Sequence, residues 1–277
     1  MEPLTRSVPP PPGLRAAVLV AALARRRAGY PDPEALPPAV APYAAEVDKL
    51  EALLREVTEA QWLEPVPAAG TTVRGLVEHL GANDAALAAA LGMRVPDSGR
   101  DGPAHLVWRA RAQALLRHAL AGPMDQRVQV AGLSMAARNA YLARAFETWI
   151  HADDIRGALG RPPRPPQPWH LAPLADLHVR SLPAALAVSG RAHPGRTATV
   201  RLTGPGGATW HIPLAPLAPL APGPPAAEPD VTVTADVLDY CYAAANRRDT
   251  DTVPRTVEGD QALADDLFAV LATFSHD

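Results

Sequence analysis

Along some stretches of the chain apolar residues recur at three- and four-residue steps; along others they recur at every second residue. Between residues 39 and 63, Val40, Tyr43, Val47, Leu50, Leu53, Leu54 and Val57 form a stripe of the first kind, which predicts an amphipathic helix with one buried face. It should stop before Pro65, because proline supplies no backbone donor. A second helix is expected from Thr72, whose hydroxyl can cap free N–H groups, through Val73, Leu76, Val77 and Leu80. Two more, at about 104–120 and 134–159, are separated by the breakers Gly122-Pro123 and Gly132. Four antiparallel helices with short connections make a bundle.

The period changes after Arg161-Pro162-Pro163-Arg164-Pro165-Pro166-Gln167-Pro168, a run that reads as a stiff spacer. Residues 197–202 and 208–212 alternate as strands do, and Gly204-Pro205-Gly206-Gly207 between them signals a hairpin. Residues 231–234 read as a third strand and 252–257 as a fourth, with helices at about 171–189, 236–246 and 260–273. This is an α+β unit with an antiparallel or mixed sheet. The Ala-Pro-Leu repeat over 213–222 reads as an extended exposed loop. The expected division is an arm over 1–37 with one short helix at about 14–27, a helical bundle over 38–160, the spacer over 161–168 and an α+β domain over 169–277.

Composition fits this plan. A chain of 277 residues has room for two domains, and 48% hydrophobic with 20% charged residues excludes a disordered chain. A net charge of -3, with no Cys/His ladder, argues against a nucleic-acid partner. The lone Cys241 excludes an intrachain disulfide, suits a reducing compartment and reads as a small core residue. Arg25, Arg26 and Arg27 follow the apolar residues 16–24 instead of preceding them, and that stretch is too short to span a bilayer. The expectation is a cytoplasmic protein with no membrane, nucleic-acid or protein partner.

One constellation carries chemistry. Glu147 and His151 lie four apart on a predicted helix and so share a face one turn apart. His79 lies near the apolar stripe of the second helix. If the three meet inside the bundle, they supply a His-Glu-His donor set of the kind catalytic zinc uses, with positions left open. A Glu-x-x-x-His pair is also common as a surface hydrogen-bonded pair, so spacing alone leaves both readings open. His105, His118, His170, His178, His193, His211 and His276 form no second spaced set and read as structural.

The surrounding words add to this. The series Glu59, Gln61-Trp62, Pro65, Thr72-Val73-Arg74, His79-Leu80 and the segment Arg144-Ala145-Phe146-Glu147-Thr148-Trp149-Ile150-His151-Ala152-Asp153-Asp154-Ile155 resemble the mycothiol-dependent maleylpyruvate isomerase family over roughly residues 40–277. The resemblance implies a DinB-like metal-binding four-helix bundle joined to a smaller C-terminal α+β domain. It implies a divalent metal, zinc foremost, on His79, Glu147 and His151, with Asp154 behind a ligand and Arg247 placed to hold a substrate carboxylate. It also implies mycothiol as thiol cosubstrate and a small electrophile as acceptor. No side chain is expected to act as catalyst beyond the metal-bound thiolate. S-transfer or conjugation is the first expectation, with cis–trans isomerisation of a maleylpyruvate-like substrate and a non-catalytic metal-stabilised module as alternatives. The sequence departs from the family at Thr71, where Trp is common, and at Gly75, where Asp is common, so the reciprocal half of a capping box with Thr72 is lost.

Overall fold

The computed structural model describes residues 31–93, 102–130, 132–215 and 228–274. The expected helix at 14–27, most of the Ala-Pro-Leu loop and His276 lie outside these residues. Four long helices come first: α1 (Ala41–Leu54), α2 (Val73–Ala90), α3 (Ala104–Ala119) and α4 (Ala137–Ala158). Helix α1 packs on α4 and α3, and α2 packs on α3 and α4. Tyr43, Val47, Leu50, Leu76, Leu80, Trp108, Leu115, Tyr141, Trp149 and Ile155 close the space between them, each at 2% exposure or less. The apolar stripes thus do what their spacing predicts.

Helix α1 ends at Leu54, well before the expected stop near Pro65. The cause is local. Thr58 Oγ1 accepts from the Gln61 N–H and Gln61 Oε1 accepts from the Thr58 N–H. This reciprocal box opens a separate 3-10 turn at Gln61–Leu63. The short pair β1 (Pro65–Val66) and β2 (Thr71–Thr72) then delivers the chain to α2. Thr72 caps α2 as expected, accepting from the Gly75 N–H at 3.2 Å. The two departures from the family pattern meet here, since a Cβ on residue 75 would fall 2.2 Å from the Thr71 hydroxyl oxygen.

Helix α4 begins at Ala137, not at Ser134. Residues 127–130 and 133–136 instead form the strands β3 (Arg127–Val130) and β4 (Leu133–Ala136), paired antiparallel with Gln129 opposite Ser134. Gly132, at φ 77°, takes the left-handed conformation in the turn. Ser134 therefore serves as a strand residue whose hydroxyl accepts from Arg127.

Residues 161–167 carry no helix or strand, and Pro168 opens α5 (Pro168–Val188), where its missing N–H costs nothing. The sheet strands are β5 (Thr197–Thr203), β6 (Thr209–Pro213), β7 (Val231–Asp236) and β8 (Arg255–Gly259), in the order β6-β5-β7-β8. The β5–β7 pair is parallel and the others antiparallel, so the sheet is mixed. Helices α5, α6 (Val237–Ala244) and α7 (Gln261–Ala269) pack on it. The fold is thus a mixed helix-and-sheet structure. Helix α5 also touches α1 and α4, so it joins the sheet to the first four helices.

Candidate metal centre

Helix α4 carries Glu147 and His151 one turn apart, and α2 brings His79 to the same place. His79 Nε2 lies 3.0 Å and His151 Nε2 3.9 Å from Glu147 Oε1. One donor atom from each of the three residues lies within 4.8 Å of the others, and among the described residues no second His/Cys/Asp/Glu group has this spacing. The imidazoles stand edge to face, with centroids 5.3 Å apart. His151 is buried, whereas the side chains of His79 and Glu147 are 34% and 25% exposed, so one side of the cluster is open.

Buried polar groups fix these donors. Arg144, one turn before Glu147, is 3% exposed and bonds three ways. It pairs with Glu147 Oε2, donates from Nε to Asp84 Oδ1 at 2.9 Å and from Nη2 to the Leu80 carbonyl at 3.2 Å. Burial pushes the Glu147 carboxyl up, but the Arg144 charge and then the His79 hydrogen bond outweigh it and hold the pKa at about 2. At Asp84 burial prevails instead and holds the carboxyl above the usual range, even beside Arg144. Asn83 donates to Glu147 Oε1 and lies 3.1 Å from His79 Nε2. Neither Arg144 nor Asn83 emerges from the sequence reading, although Arg144 is three residues before one donor and Asn83 four after another.

The far side of His151 is held as well. Its Nδ1 meets Asp154 Oδ2 at 3.0 Å, which leaves Nε2 as the nitrogen that faces Glu147. Asp154 in turn receives Arg247 from the sheet part through Nε and Nη2, both at 2.8 Å, a two-pronged pair. Next to it, Asp153 accepts from Trp149 Nε1, the Tyr242 hydroxyl and the Arg164 N–H.

The model of the family described as mycothiol maleylpyruvate isomerase N-terminal domain matches residues 43–156, a span holding all three donors and Asp154. Over 249 residues the chain is 30% identical to an uncharacterised protein of Mycobacterium tuberculosis (strain CDC 1551 / Oshkosh), covering 81% of this chain and 91% of that protein. The same values hold for an uncharacterised protein of strain ATCC 25618 / H37Rv. Through residues 43–156 the chain belongs to the family of the mycothiol maleylpyruvate isomerase N-terminal domain. A crystal structure of a mycothiol-dependent maleylpyruvate isomerase shares its fold, at a TM-score of 0.50 and 18% identity over 82% of this chain and 95% of that one.

Against the family pattern, the structure brings His79, Glu147, His151 and Asp154 together and links Arg247 to them. The Arg247 fork, expected to hold a substrate carboxylate, is engaged by the protein's own Asp154 carboxylate, and its Nη1 donates to the Ala245 carbonyl. Beside it, Asn246, Arg247, Arg248, Asp249, Thr250, Ala269 and Ala272 line an open cleft of about 510 Å³. Among the other described histidines, His105 stacks on Trp62, His178 lies against Phe146, His193 pairs with Asp266 and His211 with Thr199. Cys241 is fully buried, and burial followed by the Asp236 charge pushes its thiol far above the usual range. A buried thiol held in its neutral form is a poor nucleophile.

Proposed function

We propose that the chain is a metal-dependent enzyme that binds a low-molecular-weight thiol, mycothiol, and activates it as thiolate for S-transfer or conjugation to a small electrophile. The observation that carries this reading is the convergence of His79, Glu147 and His151 in a member of this family, with His151 Nδ1 committed to Asp154. The donors fit a divalent cation in kind. Two imidazole nitrogens and a carboxylate oxygen are a set catalytic zinc takes, and the hydrogen bond to Asp154 directs the His151 Nε2 lone pair toward the shared point. Arg144 keeps Glu147 ionised and binds its second oxygen, leaving Oε1 as the ligand atom. The first four helices are assigned as a DinB-like four-helix bundle and residues 161–168 as the spacer to the C-terminal domain. Zinc is the assigned metal and the cytoplasm the assigned compartment.

A bound divalent cation would supply the chemistry of thiol acidification, because it stabilises the thiolate far more than the thiol. His79, Glu147 and His151 would hold it, and the exposed side of the cluster gives a thiol its approach. The thiolate would form a carbon–sulfur bond to the acceptor, whose displaced electron pair takes up a proton or departs with a leaving group. If that bond broke again after rotation about the former double bond, the outcome would be isomerisation of a maleyl-type substrate with the thiol returned. Isomerisation is the second reading, favoured by family membership itself.

Metal analysis of the purified chain, combined with a mass-spectrometric screen for adducts between mycothiol and candidate electrophiles, tests the proposal. One divalent ion per chain and an adduct are expected, both lost in Glu147→Ala. Turnover of maleylpyruvate with mycothiol far below stoichiometric amounts would move the assignment to isomerase. A third reading, a non-catalytic module with a structural metal, predicts that His79→Ala unfolds the chain; the enzyme reading predicts a folded, inactive variant.

A further inference from the structure

The two helices at the centre present matching pairs. Helix α4 offers Glu147 and His151 at i and i+4, and α2 offers His79 and, again at i+4, Asn83. The end of the Asn83 side chain does not point away from the donors. It is hydrogen-bonded to Glu147 Oε1 and lies 3.1 Å from His79 Nε2, while those two atoms are themselves 3.0 Å apart. Atoms bound to one small cation at about 2.0–2.2 Å keep a mutual spacing of about 3 Å. The amide end therefore already stands at a neighbouring ligand atom's spacing from two of the three donors.

An asparagine amide has a donor end and an acceptor end of nearly the same size, exchanged by a half-turn about the last side-chain bond. Facing a carboxylate, the NH₂ end makes the bond. Facing a cation, the carbonyl dipole favours the opposite orientation. Glu147 cannot fill the extra position with its other oxygen, because Arg144 engages Oε2.

We propose that Asn83 is a fourth side chain of the metal centre, its amide oxygen binding the same divalent cation as His79, Glu147 and His151; this rests on the metal reading above. The donor set becomes two neutral imidazoles, one carboxylate and one neutral amide, leaving a net positive charge for an anionic sulfur ligand to neutralise. The thiol then enters as a fifth ligand.

Cobalt(II) titration of the full chain, with affinity read by competition against a chromophoric chelator and coordination read from visible absorption, tests this. Asn83→Ala should weaken cobalt binding about 10- to 100-fold and change the absorption band. Asn83→Asp places a charged oxygen at the same position and should bind cobalt at least as tightly as the wild type. Cobalt affinity and absorption unchanged or stronger in Asn83→Ala would overturn the assignment. So would a tenfold loss in Asn83→Asp, which decides the matter if the alanine variant does not fold. His79→Ala separates the two levels: binding lost there but intact in Asn83→Ala removes Asn83 alone, whereas a wild type that takes up no cation removes the metal reading with it.

Discussion

Arg144 is the side chain whose removal should be felt most widely. Replacing it with Met keeps most of its aliphatic length and deletes the charge. Asp84, fully buried, loses its ion pair, and the Leu80 carbonyl loses a donor. Breaking a buried pair by removing one partner costs about 3–5 kcal/mol, because the remaining charge is left uncompensated. The Glu147 half adds less, since that carboxylate is a quarter exposed and water replaces part of the loss. At about 2–4 °C per kcal/mol for a chain of this size, the melting temperature of the metal-free protein should fall roughly 6–20 °C at neutral pH. The deficit should shrink as the pH falls, because burial raises the Asp84 pKa and protonation removes the stranded charge. Adding Asp84→Leu to the Arg144→Met background should restore most of the loss. Thermal unfolding followed by circular dichroism reads all of these. A single variant that melts within about 2 °C of wild type, or a double variant that recovers nothing, would refute the idea that an ion pair under Glu147 supports the centre.

Arg247→Ala should weaken metal binding about tenfold, with Arg247→Lys intermediate, because Asp154 loses its two-pronged partner and His151 its fixed orientation; equal metal affinity in all three proteins would instead leave Arg247 to the substrate. His178 is partly exposed, but its Nε2 is enclosed without a hydrogen-bond partner and burial lowers its pKa to about 4. The unfolded chain therefore binds a proton that the folded one refuses between pH 6.5 and 4. Stability should fall as pH drops through that window, by no more than about 3 kcal/mol. His178→Leu should flatten this limb in urea titrations at stepped pH, and an unchanged slope would count against it. Cys241→Ser should leave metal uptake and thiol-dependent activity intact, and labelling of the native thiol should be slow, both following from its burial.

Much of this molecule is legible in its sequence where one physical signal acts alone. The stripes of α1 and α2, the glycine-rich β5–β6 turn and the proline spacer each follow from periodicity or backbone restriction. The misses occur where two signals compete. Thr58 and Gln61 lie within a continuing apolar stripe, and their reciprocal hydrogen bonds end the helix before the stripe does. Val128, Val130 and Leu133 flank a glycine in a way that fits a hairpin, yet Ser134 also resembles a helix cap. At the centre, spacing and family words reach His79, Glu147 and His151. Asn83 and Arg144 stand at helical spacing from those donors too, but neither is a residue type that a search for metal-ligand sets picks out. The family words mark Arg247 as an arginine for a substrate carboxylate; that its partner is Asp154 depends on a contact across 93 residues of chain, which no local pattern encodes.

The adjacent aspartates at the end of α4 have a consequence for modularity. Asp153 is held by Tyr242 and the spacer backbone at Arg164, and Asp154 by Arg247, so the helix that bears two of the proposed metal donors is clamped by parts of the chain beyond residue 160. A helical half cut off there would keep every proposed cation ligand and lose the clamp. It should be a poorer chelator than the whole chain. Residues beyond 160 therefore brace α4, and a recombinant shuffle pairing this helical half with a foreign partner would have to supply its own arginine at the same spot.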